Sequence, residues 1–325
     1  MRTQGSRSDD TRARSVRPPS GSPVHPPKPE TPTRTFVPIR RILCPVDFSD
    51  CSRAAVDRAV ALARPTNAAI TGLFVLPFVF PAVDEVPPRA SPVAPDPGVV
   101  SAVAEDLGEF LRPAREAGLT VRVLVKSGDS VGQILEQAHE TEADLIVMGT
   151  HGRLGLERLV LGSVAANVLR KAPCPVLTVS RPGASQTPRA DASIGRILCA
   201  LELSEPSART LSYALSLGRS TGAAVTLLHV LEGARGAASR TRRAADVRQR
   251  LHAAALADGV PGCPVEEIVV AGAPHREILR LADARQVGLI VLGNGRNHGS
   301  TADHVVREAI VPVLTVRSMA GARES

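Results

Sequence analysis

The sequence predicts an α/β chain built as two tandem domains, each a doubly wound, Rossmann-like parallel sheet. Three observations predict it. Short continuous apolar runs such as Arg41-Ile-Leu-Cys44, Ile70–Val75, Val121–Val125 and Leu145–Met148 read as strands buried on both faces. Between them lie segments whose apolar residues fall at helical spacing, and strands alternating with helices indicate a parallel sheet. The whole pattern then occurs twice. Arg41-Ile-Leu-Cys44 recurs as Arg196-Ile-Leu-Cys199, Gly128…Ile134-Leu135 as Gly272…Ile278-Leu279, and Pro175-Val-Leu-Thr-Val179 as Pro312-Val-Leu-Thr-Val316. A unit of roughly 140 residues is a duplicated domain, not a solenoid period of ~20–50.

Taken in order, residues 1–36 form a Pro-, Arg- and Ser-rich tail too poor in apolar residues to order itself. Five prolines between Pro18 and Pro27 oppose the amphipathic helix of a transit peptide. Deleting residues 1–36 is therefore expected to leave the melting temperature and ligand affinity nearly unchanged; a fall of several degrees would show that the tail docks on the body. The first domain spans 37–181. Ser49 is placed to cap a helix carrying Val56, Ala59, Val60 and Ala63 on one face. Residues 77–98 hold Pro77, Pro81, Pro87, Pro88, Pro92, Pro95 and Pro97 without periodicity, a loop that is either a lid or simply disordered. Val103, Leu107, Phe110, Leu111 and Ala114 then make a helical stripe that Pro113 can kink. A linker at 182–192 leads to the second domain, 193–318, and a short tail, 319–325.

Composition narrows the function. The chain has 325 residues and no apolar stretch long enough for a membrane span. Five cysteines, none in a CxxC pair, suit a reducing cytoplasm better than a disulfide framework. The excess of 39 Lys+Arg over 32 Asp+Glu is spread along the chain, and one Tyr with no Trp leaves no stacking platform for nucleic acid. No His-Glu-x-x-His, Gly-x-Ser-x-Gly or cysteine–histidine cluster offers enzyme chemistry.

The most specific signal follows the strand Leu145-Ile-Val-Met148. It reads Gly149-Thr-His-Gly152, nine residues, then Gly162-Ser163 and a helical run. Glycines there permit a tight turn and close backbone approach to a ligand, and a helix start suits phosphate. The motif is neither a Walker A loop nor a dinucleotide fingerprint. Asp47, straight after the first strand, is placed either to bind a ribose hydroxyl or a divalent cation, or to cap the next helix.

This G-x2-G-x9-G-S pattern resembles the nucleotide-binding loop of the universal stress protein family. Arg41–Ser49, Ile70–Val75, Gly128–Leu135 and Cys174–Val179 resemble its neighbouring segments in the same order. The resemblance implies an ATP-binding stress-response protein that senses nucleotide or regulates an unidentified protein partner. Its site would comprise Pro45, Val46, Asp47, Val75, Gly149, His151, Gly152, Arg153, Gly162, Ser163 and Val164. Asp47 would reach a nucleotide-bound magnesium or manganese ion, and Val75 would offer backbone groups to an adenine edge. Family units pair through their last strands, implying an intrachain pseudo-dimer or a homodimer. Two alternatives stand beside it: a weak ATPase or autophosphorylating enzyme, and a nucleotide-free scaffold.

The second copy departs at the decisive places. Glu202 replaces Asp47, and five residues separate Gly293 from Gly299 where twelve separate Gly149 from Gly162. Arg296 removes the second loop glycine. The expectation is one nucleotide per chain, in the first copy.

Overall fold

The computed structural model describes residues 38–78, 94–151, 161–180, 194–203, 207–233, 237–258, 262–294 and 301–317. The predicted tails and linker, most of the proline-rich segment, Gly152, Arg153 and Gly299-Ser300 lie outside them. The first half runs β1 (Arg41–Pro45), α1 (Asp50–Ala63), β2 (Ala69–Leu76), α2 (Pro97–Phe110), α3 (Arg112–Glu116), β3 (Val121–Ser127), α4 (Ser130–Glu140), β4 (Leu145–Gly149), α5 (Ser163–Lys171) and β5 (Val176–Val179). The second half repeats it as β6 (Arg196–Ala200), α6 (Ser207–Thr221), β7 (Ala224–Leu231), α7 (Ala237–Ala257), β8 (Val265–Ala271), α8 (Pro274–Ala284), β9 (Leu289–Asn294), α9 (Thr301–Glu308) and β10 (Val313–Arg317).

All ten strands form one sheet, in the order β3-β2-β1-β4-β5-β10-β9-β6-β7-β8. Neighbours are parallel except at the centre, where β5 and β10 pair antiparallel with Leu177 opposite Leu314. Thr178 Oγ1 donates to the Val313 carbonyl and Thr315 Oγ1 to the Val176 carbonyl, each at 3.2 Å. These reciprocal bonds relate the halves by a local two-fold.

Continuous apolar strands supply both faces of the sheet. Ile42 and Cys44 pack under α1, α2 and α3, while Leu43 packs under α4 and α5; Leu145 and Val147 alternate with Ile146 and Met148 in the same way. Each layer of core continues across β5 and β10 into the second half, reaching α6 and α7 on one face and α8 and α9 on the other. None of the five cysteines forms a disulfide, and burial pushes the Cys44 thiol up to about 12 and the Cys199 thiol higher still.

Two predicted features differ in detail. The stripe from Val103 to Ala114 is two helices: α2 stops at Phe110, and Pro113 sits in the first turn of α3, where its missing N–H costs nothing. Pro97 likewise opens α2, with Asp96 accepting from Gly98 N at 2.6 Å, so the helix begins inside the stretch read as loop. Ser49 caps α1 as expected, its side chain accepting from Ser52 N at 3.2 Å.

Candidate functional site

The order of strands reverses between β1 and β4, and in open α/β sheets ligands settle in the crevice beyond the carboxyl ends at that point. Pro45, Val46 and Asp47 end β1, Val75 lies near the end of β2, and Gly149 ends β4. The segment after β4 returns to α5, whose first residues are Ser163 and Val164.

Asp47 does bind the following turn. Its Oδ1 accepts from Ser49 N at 3.0 Å and from Ser52 Oγ at 2.5 Å, and its own N–H donates to Ser52 Oγ at 3.2 Å. Oδ2 has no partner among the described residues and points the carboxylate's remaining capacity elsewhere. Asp47 is thus not the cap of α1, a place taken by Ser49; its Oδ1 braces the turn before that helix, and only Oδ2 is left for the ligand reading. Phe48, next in the chain, takes a left-handed backbone (φ 61°), rare for a bulky residue. Its ring is held 5.0 Å from Phe74 and 5.4 Å from Phe110. Leu203 repeats the conformation (φ 58°) at the same place in the second half, so this turn belongs to the fold.

Val75 gains its importance from register. The pairing of β1 with β2 ends at Pro45–Leu73 and the bond from Val46 N to the Leu73 carbonyl at 2.8 Å, whereas β2 continues alongside β3 to Leu76–Ser127. Both backbone groups of one strand residue point to the same neighbour, and odd-numbered residues of β2 point toward β1. The N–H and carbonyl of Val75 thus face the space beyond the end of β1, as a donor–acceptor pair at the rim of the crevice.

Gly149 and Gly162 act through space, not through turn conformation. A Cβ on Gly149 would stand 2.7 Å from the Cβ of Cys51 and 3.1 Å from its carbonyl carbon, so the close approach is of α1 to β4. A Cβ on Gly162 would stand 2.9 Å from the Thr150 carbonyl oxygen, to which Gly162 N donates at 2.9 Å. Gly162 is the N-cap of α5, and no side chain among the described residues caps that helix. The N–H groups of its first turn, from Ser163 and Val164 on, lack helical partners and face outward with the positive end of the helix dipole.

Thr150 and His151 complete the β4 end. Thr150 is buried, takes the Val179 carbonyl through its N–H at 3.0 Å, and shares a 2.9 Å bond between its Oγ1 and His151 Nδ1. The other ring nitrogen, His151 Nε2, is buried without a partner among the described residues. Gly152 and Arg153 lie outside the described residues. Sequence reasoning missed Thr150, Cys51 and Ser52. Ser52 was visible as the second serine of Ser49-Asp-Cys-Ser52, but small polar residues carry no signal without a partner in view.

On the opposite layer, an open hollow of about 540 Å³ lies between α1 and α2, lined by Phe48, Arg53, Asp106, Glu109, Phe110 and Arg112. Its Arg53 guanidinium rests 3.5 Å from the Phe110 ring centre and donates to the Phe110 carbonyl at 2.6 Å. That arginine is spent on joining α1 to α2.

The second half keeps the mouth and changes its furniture. Leu201 N bonds the Leu228 carbonyl at 2.9 Å, so Val230 takes the position of Val75. Glu202, in the place of Asp47, is exposed. His304, where the first half has Asn167, stacks on His275 with ring centres 4.9 Å apart. No group of three His, Cys, Asp or Glu residues able to hold a metal occurs among the described residues of either half.

Comparison with known proteins agrees with this architecture. The model of the universal stress protein family matches twice, over residues 38–180 and 193–317. A universal stress protein of Methanocaldococcus jannaschii is 35% identical over 146 residues, spanning 44% of this chain and 83% of that protein. One from Bacillus subtilis is 29% identical over 155 residues, spanning 43% and 97%. The crystal structure of a universal stress protein from Archaeoglobus fulgidus superposes with a TM-score of 0.64 at 21% identity, covering 87% of this chain and 98% of that one, a likeness of fold. With the doubled sheet, the doubled β–turn–α entry and the family model matched twice, this chain belongs to the universal stress protein family.

Proposed function

We propose that the first half binds an adenine nucleotide, with ATP the leading candidate, and that the protein works in stress response by sensing that nucleotide or by altering its affinity for a protein partner. The observation that carries the reading is the backbone pair of Val75 at the switch point, flanked by the start of α5, neither of which has a partner among the described residues. The first suits the hydrogen-bonding edge of a base, and the second suits phosphate. His151 Nε2, buried and without a partner among the described residues, is a further group that a phosphate or ribose oxygen would satisfy. Gly152 and Arg153 belong to the proposed site by sequence. The halves act as an intrachain pseudo-dimer in this reading, joined through β5 and β10.

Magnesium or manganese fits only as the nucleotide's companion. Asp47 has one carboxylate oxygen to give, so phosphates would supply most of the coordination and Asp47 one ligand at most. Asp47→Ala is expected to weaken ATP binding more at high than at low magnesium, and to cost ~1 kcal/mol of stability through the lost turn bonds. Equal weakening at both magnesium levels would remove the cation from the reading.

The direct test is mass analysis of nucleotide released on denaturing the purified full chain, followed by titration with ATP and with cyclic AMP. Recovery of an adenine nucleotide, or saturable binding of either, supports the proposal. An empty protein that binds neither overturns it and favours the scaffold reading.

A further inference from the structure

Because β5 and β10 pair with each other, the sheet ends at β3 on one side and at β8 on the other. Among the described residues each of these strands has one neighbour, β2 or β7, along its full seven residues. Backbone parity shows which groups are left over. Ile70 N donates to the Thr120 carbonyl and Gly128 N to the Leu76 carbonyl, each at 2.8 Å, so the even-numbered residues of β3 face β2. Val225 N donates to the Pro264 carbonyl at 2.8 Å and Gly272 N to the Leu231 carbonyl at 3.2 Å, so the even-numbered residues of β8 face β7. The N–H and C=O groups of Val121, Val123 and Val125, and those of Val265, Glu267 and Val269, therefore point away from the sheet. Both edges are rich in β-branched residues and half-buried, and an edge of that kind is a template for another strand.

Charge decides which strand it receives. Beside β3, α2 and α3 expose Glu105, Asp106, Glu109 and Glu116 against Arg112 and Arg115, an excess of acid. Beside β8 and in the same layer, α7 exposes Arg242, Arg243, Arg248 and Arg250 against Asp246, an excess of base. The strands carry Arg122 and Lys126 in β3, and Glu266 and Glu267 in β8. Lys126, Glu266 and Glu267 already have partners in Glu140, Arg285 and His252, so the unbalanced helices set the sign of each end. Pairing β3 with β3, or β8 with β8, across a two-fold normal to the sheet would bring like charges together. Pairing β8 of one copy with β3 of the next brings basic α7 beside acidic α2 and α3. The two halves run in opposite directions, as β5 and β10 do, so that pairing is antiparallel and keeps these helices on one face.

We infer that the two open edges form an interface between copies of this chain: β8 of one copy adds to β3 of the next, head to tail, steered by basic α7 meeting acidic α2 and α3. Such a contact is heterologous and leaves an open edge at each end, so association continues as concentration rises instead of stopping at a dimer.

Sedimentation velocity of the full chain over a wide concentration range, at low and at high salt, is the test. The wild type is expected to grow from the 34.1 kDa monomer into a series of larger species at low salt, and to grow less at high salt. Val123→Pro and Val269→Pro each remove only an outward N–H, the position at which an edge strand tolerates proline. Each is expected to stay monomeric alone. Mixed, they are expected to form a dimer of one copy of each and stop there, since one good β8 edge meets one good β3 edge. A second pair of variants leaves the strands intact. Arg242→Glu with Arg243→Glu turns α7 acidic, and Glu105→Lys with Asp106→Lys turns α2 basic. Each is expected to associate about tenfold more weakly than the wild type at low salt, and their mixture to recover the wild-type strength. A wild type that stays monomeric at every concentration overturns the inference. So does association of either proline variant alone, which would mean like edges or another surface, and so does a mixture of the charge variants no stronger than its parts.

Discussion

Calorimetric titration of the full chain with ATP is expected to give a stoichiometry near one, lost in Gly162→Val and untouched by Gly299→Val. The first half offers the Val75 backbone pair, Asp47 Oδ2 and the start of α5, none of which has a partner among the described residues. At Gly162 an added Cβ meets the Thr150 carbonyl at 2.9 Å, and the larger valine would push the start of α5 off that oxygen. Since backbone N–H groups must stay within hydrogen-bond reach of phosphate, a displacement of this kind is expected to weaken binding more than tenfold, over ~1.4 kcal/mol. The second half keeps the register at Val230 but has an exposed Glu202 and the stacked His275–His304 pair. It also joins β9 to α9 through six residues, 295–300. Those substitutions fit a copy kept for its share of the continuous core. A stoichiometry near two, or binding that survives Gly162→Val, would show that the short connection holds nucleotide as well.

Much of this fold is legible without coordinates, and the reason is the doubled pattern. Parallel strands buried on both faces read as continuous apolar runs, so Ile42–Cys44 and Leu145–Met148 announce themselves, and their recurrence fixes two sheets of one kind. What the pattern does not carry is how the two sheets join. Leu177 and Leu314 look like any buried strand residues; only their antiparallel pairing, with Thr178 and Thr315 closing it, makes one sheet of ten strands. Pairing of last strands was expected from family resemblance alone. Capping was readable at Ser49 because one side chain and one nearby N–H suffice. The break at Leu111 was harder, since Pro113 permits a kinked helix as readily as two helices.

The residues of the proposed site were named from the sequence, and their physics was not. Asp47 was left open between ligand and cap, and the structure gives one oxygen to the turn without using the other. Val75 came from resemblance, and its chemical reason lies in where β1 stops, a long-range fact of register.

The glycines give the sharpest separation of structure from ligand. Gly149 and Gly162 belong to one motif, yet the close approach at Gly149 is to Cys51 at the start of α1. Gly149→Val is therefore expected to destabilise the protein with no nucleotide present, by about 3 kcal/mol, because α1 must lift from β4 to admit the side chain. For a chain of this size that corresponds to a fall in melting temperature of ~5–10 °C. Gly162→Val, at the start of a helix with an open outer side, is expected to lower it less while harming ATP binding more. The contacts name their own control. The new Cβ would meet the Cβ and backbone of Cys51, not its sulfur, so Cys51→Ala is expected to rescue nothing. Cys51→Gly, which removes the Cβ, is expected to recover part of the loss in the Gly149→Ala background, less the ~1 kcal/mol that glycine costs inside a helix. Thermal unfolding followed by circular dichroism measures each of these variants. A Gly149→Val protein as stable as the wild type, but unable to bind nucleotide, would return Gly149 to the ligand and leave the α1–β4 approach without a role.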